Sequence, residues 1–100
     1  MLDAITARRS IRKYEPRPVE PKAIEVLKEV ALRSPSSMNR QPWHFVFVTD
    51  AEKLARLAHA KRQYGEFLAD APLGIAICGD EGASDCWIED CSIAATALQL

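Results

Sequence analysis

Ser34-Pro35-Ser36-Ser37-Met38-Asn39-Arg40-Gln41-Pro42-Trp43-His44-Phe45-Val46-Phe47-Val48 joins two kinds of chain in one run. Residues 34–42 carry serines, prolines and an asparagine, which is turn chemistry and predicts a loop. Trp43 to Val48 is mostly apolar and rich in aromatic and β-branched side chains. That predicts a strand largely buried on both faces. A polar loop feeding directly into a buried strand sets the register for everything on either side.

Upstream, Pro21 suits a first helical position, and Ala23, Ile24, Leu27, Val30 and Ala31 make an apolar stripe that Pro35 ends. Before it, Pro16 and Pro18 hold an extended stretch, and Leu2 to about Arg9 reads as a short helix. Downstream, Thr49-Asp50-Ala51-Glu52 has the pattern of a capping box, opening a helix with Leu54, Leu57 and Ala58 inward. Residues 62–70 either continue that helix or begin another around Gly65. Pro72 breaks the pattern, and Leu73–Cys78 reads as a second buried strand, followed by a turn over Gly79–Ala83. Ser84 or Asp85 caps a last helix with Ile88, Cys91, Ala95 and Leu98 on its inner stripe.

The order helix–helix–strand–helix–strand–helix predicts an α+β sheet layered between helices. Two strands are few for such a sheet. The apolar segment Ile93–Leu100 ends without Gly, Pro or a cationic residue, so the chain reads as the first part of a longer one, incomplete at its C-terminus.

Composition narrows the class. The chain has 100 residues, 48% of them hydrophobic and 27% charged, which fits one globular domain over 1–100 and excludes disordered or collagen-like chains. No apolar run is long enough to span a bilayer, and Met1–Ile5 is not a secretory signal, so a cytoplasmic, non-membrane protein is expected. Net charge is −1, but residues 1–40 hold nine Lys/Arg against five Asp/Glu, and residues 41–100 four against nine. That balance disfavours nucleic acid as a partner. Cys78, Cys86 and Cys91 match no common metal spacing and are expected to be buried, reduced thiols.

Two clusters could carry chemistry. Arg8-Arg9-Ser10-Ile11-Arg12 offers guanidinium forks and a hydroxyl to a phosphate-sized anion; cations in the last turn of a helix are also favoured by its dipole. Pro35, Ser36, Ser37, Asn39 and Gln41 offer neutral donors and acceptors suited to a polar heterocycle or polyol, although such residues also serve their own backbone in a helix-to-strand connection. His44 and His59 read as a packed or edge residue and a solvated one. Glu89 and Asp90, adjacent on a helix, point apart and form no acid/base pair. No protein-borne catalyst is assignable, which points to a bound cofactor.

These motifs together resemble the FMN-dependent nitroreductase family. Arg8-Arg9-Ser10-Ile11-Arg12-Lys13-Tyr14 is similar to its opening motif, and Ser34 to Phe45 to its second, at the expected distance. Asp70-Ala71-Pro72 before the second strand, and the helix after Trp87 with Asp90, also look like that family, so the resemblance covers the whole chain. It implies a nitroreductase-like mixed sheet between helices, of which this chain is an N-terminal portion in a compact branch. It also implies FMN bound without covalent linkage at a homodimer interface. Arg8, Arg9, Ser10 and Arg12 would hold the phosphate and nearby flavin edge. Pro35, Ser36, Ser37 and Asn39 would line the ring or ribityl side, often from the other subunit, with Gln41 a less direct contact. NAD(P)H would reduce the flavin, and a nitroaromatic, quinone or activated alkene would take the electrons in a ping-pong cycle. A flavin carrier or sensor without turnover is the alternative. Family members continue past this end with further strands, a basic residue near the phosphate and contacts near flavin N5. Some larger members place polar or basic ligands around the positions of Tyr64 and Phe67, which this chain does not match.

Overall fold

A computed structural model describes residues 1–100. The helices are α1 (Leu2–Ala7), α2 (Pro21–Leu32), α3 (Ala51–Ala60) and α4 (Trp87–Gln99). The strands β1 (Trp43–Val48) and β2 (Gly74–Gly79) pair in a two-stranded sheet, and short 3-10 turns cover Ser37–Asn39 and Glu66–Asp70. The element order is the expected α+β one. The chain forms two compact units, one of Met1–Arg8, Pro21–Val46 and Ile77–Leu100, the other of Arg9–Glu20 and Phe47–Ala76.

In the first unit α2 packs on α4, and Ala31 and Ala94 are the most buried apolar residues of the two helices. Alanines at such positions let helix backbones approach closely. Trp43 and the fully buried Pro42 lie at the entry to β1, where the amide of Asp80 donates to the Pro42 carbonyl at 2.7 Å. Gly79 ends β2 where there is no room for a side chain: a Cβ there would overlap the Trp87 ring and crowd the Cys91 sulfur. The helical stripe differs from expectation. Asp90 and Ala94 are the buried positions of α4, while Ile88 is 56% exposed. The apolar residues of α4 lie nearly all round the helix, so periodicity alone did not select the buried side.

In the second unit α3 packs on the Glu66–Asp70 turn, with Leu54 and Ala58 buried and Leu57 half-buried. Gly74 admits Leu54, whose Cδ2 would stand 2.8 Å from a Cβ at that position. The Tyr14 and Phe67 rings lie 6.4 Å apart, tilted by 49°. The cap of α3 is Asp50, whose carboxylate accepts from the Lys53 amide at 3.0 Å, so the helix begins one residue later than a Thr49 capping box would place it. Residues 62–70 neither extend α3 nor form a second α-helix. Lys61 leaves α3 in an extended conformation, and Gly65 precedes the 3-10 turn at a place where a Cβ would crowd the Ala58 carbonyl.

Three expectations are corrected. β1 is buried at Trp43 and Val48 but exposed at His44 and Val46, because a sheet of two strands leaves side chains uncovered. Cys78 is exposed, and Cys86 and Cys91 are partly so; all three are free thiols. The last helix is capped by neither Ser84 nor Asp85. Cys86 holds the cap position without a side-chain bond, and the buried Ser84 hydroxyl accepts the Cys86 amide at 3.0 Å just before it.

Candidate functional site

The loop between α2 and β1 is shaped by its own side chains. Ser36 is extended (φ −142°, ψ 156°) and opens the 3-10 turn. Met38, Asn39 and Gln41 then adopt positive φ of 52°, 55° and 50°. Non-glycine residues persist there only when surrounding contacts fix them, and such positions gather at binding sites. Here the contacts are identifiable. The Asn39 amide donates to the Ser36 carbonyl at 3.0 Å and the Arg40 amide to Ser37 at 3.1 Å. The Ser36 hydroxyl accepts the Gln41 amide at 3.0 Å, and Gln41 Nε2 donates to Asn39 Oδ1 at 2.9 Å. That last bond leaves Asn39 Nδ2 and Gln41 Oε1 as a donor and an acceptor on two exposed residues. Pro35 is exposed, and Ser36 and Ser37 are half-buried.

The turn is tied to the rest of its unit. Asp90, only 3% exposed in the first turn of α4, accepts the Ser37 amide on Oδ1 at 3.1 Å. Its Oδ2 is buried with no donor from the protein. An unsatisfied buried acceptor costs on the order of 1–3 kcal/mol, more if charged. The Arg40 guanidinium pairs with exposed Asp85 at 3.8 Å, a contact worth at most about 1 kcal/mol. Asp90 was read in the sequence as a helix carboxylate pointing away from Glu89, and its tie to the turn was not foreseen. The available signal was its position four residues before Ala94 on a helix face that must be covered, where a carboxylate needs a partner.

The arginine cluster follows α1. Arg8 is its C-cap with φ −58° and ψ 135°, and its amide closes on the Ala4 carbonyl at 3.0 Å. Arg9, Ser10 and Arg12 lie in the extended start of the second unit, all exposed, with Arg12 Nη1 donating to the Ser10 carbonyl at 3.4 Å. The Tyr14 hydroxyl donates to the Ile11 carbonyl at 2.9 Å within the same segment. The structure brings Ser36, Ser37, Asn39 and Gln41 together in one turn and Ser10 and Arg12 in one segment. A cleft of about 430 Å³ in the second unit is bounded by Glu15, Arg17, Val19, Thr49, Leu54 and Asp70 among others. None of the nine expected site residues lines it.

Burial raises the Cys91 thiol above its ordinary pKa, and the nearby Asp90 and Cys78 add to the shift. A protonated thiol is a poor nucleophile. No three His, Cys, Asp or Glu side chains converge as a metal site, and no helix is long and apolar enough to cross a membrane.

Residues 5–64 match the nitroreductase family. An FMN-dependent nitroreductase from Clostridium difficile R20291 superposes with a TM-score of 0.92 at 42% identity, over 99% of this chain and 58% of that one. A protein of Methanothermobacter thermautotrophicus, provisionally named an NADH dehydrogenase/NAD(P)H nitroreductase, is 38% identical over 100% of this chain and 53% of its own length. A provisionally named nitroreductase from Desulfovibrio desulfuricans, solved in complex with FMN, superposes with a TM-score of 0.83 at 26% identity, over 98% of this chain and 59% of that one. The fold is thus the α+β fold of flavin-linked nitroreductases, and this chain belongs to the nitroreductase family. It spans a little over half the length of these relatives.

Proposed function

We propose that the protein is an FMN-dependent oxidoreductase and that Arg8, Arg9, Ser10, Arg12, Pro35, Ser36, Ser37, Asn39 and Gln41 form its cofactor site. The observation that carries this is the preset Ser36–Gln41 turn, which holds a donor and an acceptor in fixed relation before any ligand arrives. Its relatives' names speak for flavin as the ligand. When bound, FMN would supply the redox chemistry that carries electrons from NAD(P)H to a nitroaromatic, quinone or activated alkene in a ping-pong cycle.

The residues themselves do the binding and orienting. Arg8, Arg9 and Arg12 supply always-charged guanidinium forks to the phosphate, with the Ser10 hydroxyl as a further donor. They carry no protons in the reaction. Ser36, Ser37 and Asn39 face the ring or ribityl chain with neutral groups, Pro35 stiffens the approach, and Gln41 acts mainly by holding Asn39. In a homodimer, as is often so in this family, the ring set would come from the other subunit. The uncovered apolar side chains of α1, α2 and α4 in the first unit (Leu2, Ile5, Val26, Leu32, Ile88 and Ile93) support such a dimer. On this reading residues 1–100 belong to one FMN-binding domain.

NADH and NADPH oxidation with a quinone acceptor tests the activity. Turnover that depends on added FMN supports it. Stoichiometric FMN with no oxidation across a panel of acceptors would favour a carrier or sensor instead.

A further inference from the structure

Asp90 reaches the Ser36–Gln41 turn from outside residues 34–42 and accepts the Ser37 amide. The carboxylate is a costly device for this. It is 3% exposed, and its Oδ2 has no donor from the protein. A buried charge placed for stability alone would have both oxygens satisfied, or would be replaced by an apolar side chain of similar volume. Meanwhile the turn it ties to α4 contains three residues at positive φ, which persist only where the surrounding contacts over-determine them. We propose that Asp90 is a positioning residue for the cofactor site: by fixing the Ser37 amide it locks the turn in the geometry that displays Asn39 and Gln41. This rests on the flavin reading of the turn given above.

The role separates from simple stabilisation by what the bound flavin reports. FMN is titrated into the protein and followed by flavin fluorescence and visible circular dichroism. The comparison covers the parent, Asp90→Ala, Asp90→Asn, Ser37→Ala and Ser37→Pro. Asp90→Ala weakens FMN binding about tenfold and alters the dichroism of the bound flavin at saturation, the loss expected for one charge-assisted bond. Asp90→Asn restores affinity to within about threefold, because the amide oxygen still accepts. Ser37→Pro removes the N–H donor, and Ser36 already has the extended conformation that a residue before proline adopts. It therefore binds FMN about tenfold more weakly than Ser37→Ala, which keeps the amide. A folded Asp90→Ala protein with parental affinity and dichroism overturns the proposal, as does equal binding by Ser37→Pro and Ser37→Ala. Should Asp90→Ala fail to fold, the Ser37 pair decides. A parent that binds no FMN overturns the flavin reading itself, and this inference with it.

Discussion

The Asp90 carboxylate and the Ser37 amide stand 53 positions apart in sequence and 3.1 Å apart in space. Through this bond the first turn of α4 reaches the loop before β1, so a helix that shows no catalytic group of its own still shapes the candidate site. Its neighbour Cys91 feels the same carboxylate, with consequences that can be measured.

Cys91 should behave as a sluggish thiol. Its pKa is raised by burial first, then by Asp90 and Cys78, from the ordinary 9.0. The folded state therefore keeps the proton to higher pH than the unfolded chain. Any stability this contributes is complete below pH 9 and is lost as pH rises through the higher folded value. Alkylation of a variant that keeps only Cys91, followed upward from neutral pH, should accelerate at higher pH in the folded protein than in the urea-unfolded chain. Acceleration at the same or lower pH in the folded protein would contradict this.

Removing the cap of α3 should cost stability without touching the site. Asp50→Ala leaves the Lys53 amide without its acceptor, for a loss of about 1 kcal/mol in urea denaturation. Thr49→Ala should cost less, since Asp50 and not Thr49 holds the cap position.

Leu54 is among the largest fully buried side chains, at 2% exposure, and it fits against Gly74. Leu54→Ala should destabilise by roughly 2–5 kcal/mol, and Gly74→Ala should also destabilise because a methyl there meets the Leu54 side chain. The double variant should lose less than the two single losses together, since the smaller side chain makes room for the methyl.

Gly79→Ala should perturb the start of α4. The added methyl would push against the Trp87 ring and the Cys91 sulfur, and the ring or strand must shift. A changed Trp fluorescence spectrum and a loss of about 1–3 kcal/mol are expected. Unchanged emission and stability would show that Trp87 yields freely.

Much of this architecture was legible in the sequence because local chemistry and tertiary packing agree. Pro21 opened α2 as its fixed φ suits, and Trp43–Val48 formed a strand with the bounds its composition indicated. The loop at 34–42 was readable from its serines and prolines, but its three positive-φ residues were not, since Met38 and Gln41 carry no preference for that conformation. Burial was read least well. His44, Val46, Cys78 and Ile88 are exposed although their runs looked like core, because burial depends on what else covers a face and not on the face alone. Asp90 was missed as a tether since its partner lies 53 residues away, beyond any local pattern.

The proposed cofactor site requires that the arginine segment and the Ser36–Gln41 turn bind FMN. Equilibrium titration of FMN into the protein, read by flavin fluorescence, tests it most directly when repeated with Arg8→Ala and Arg12→Ala combined. Saturable binding by the parent is expected, with a loss of at least about tenfold in the double variant through lost phosphate contacts. A colourless protein that ignores added FMN, or a double variant that holds FMN as tightly as the parent, would contradict it.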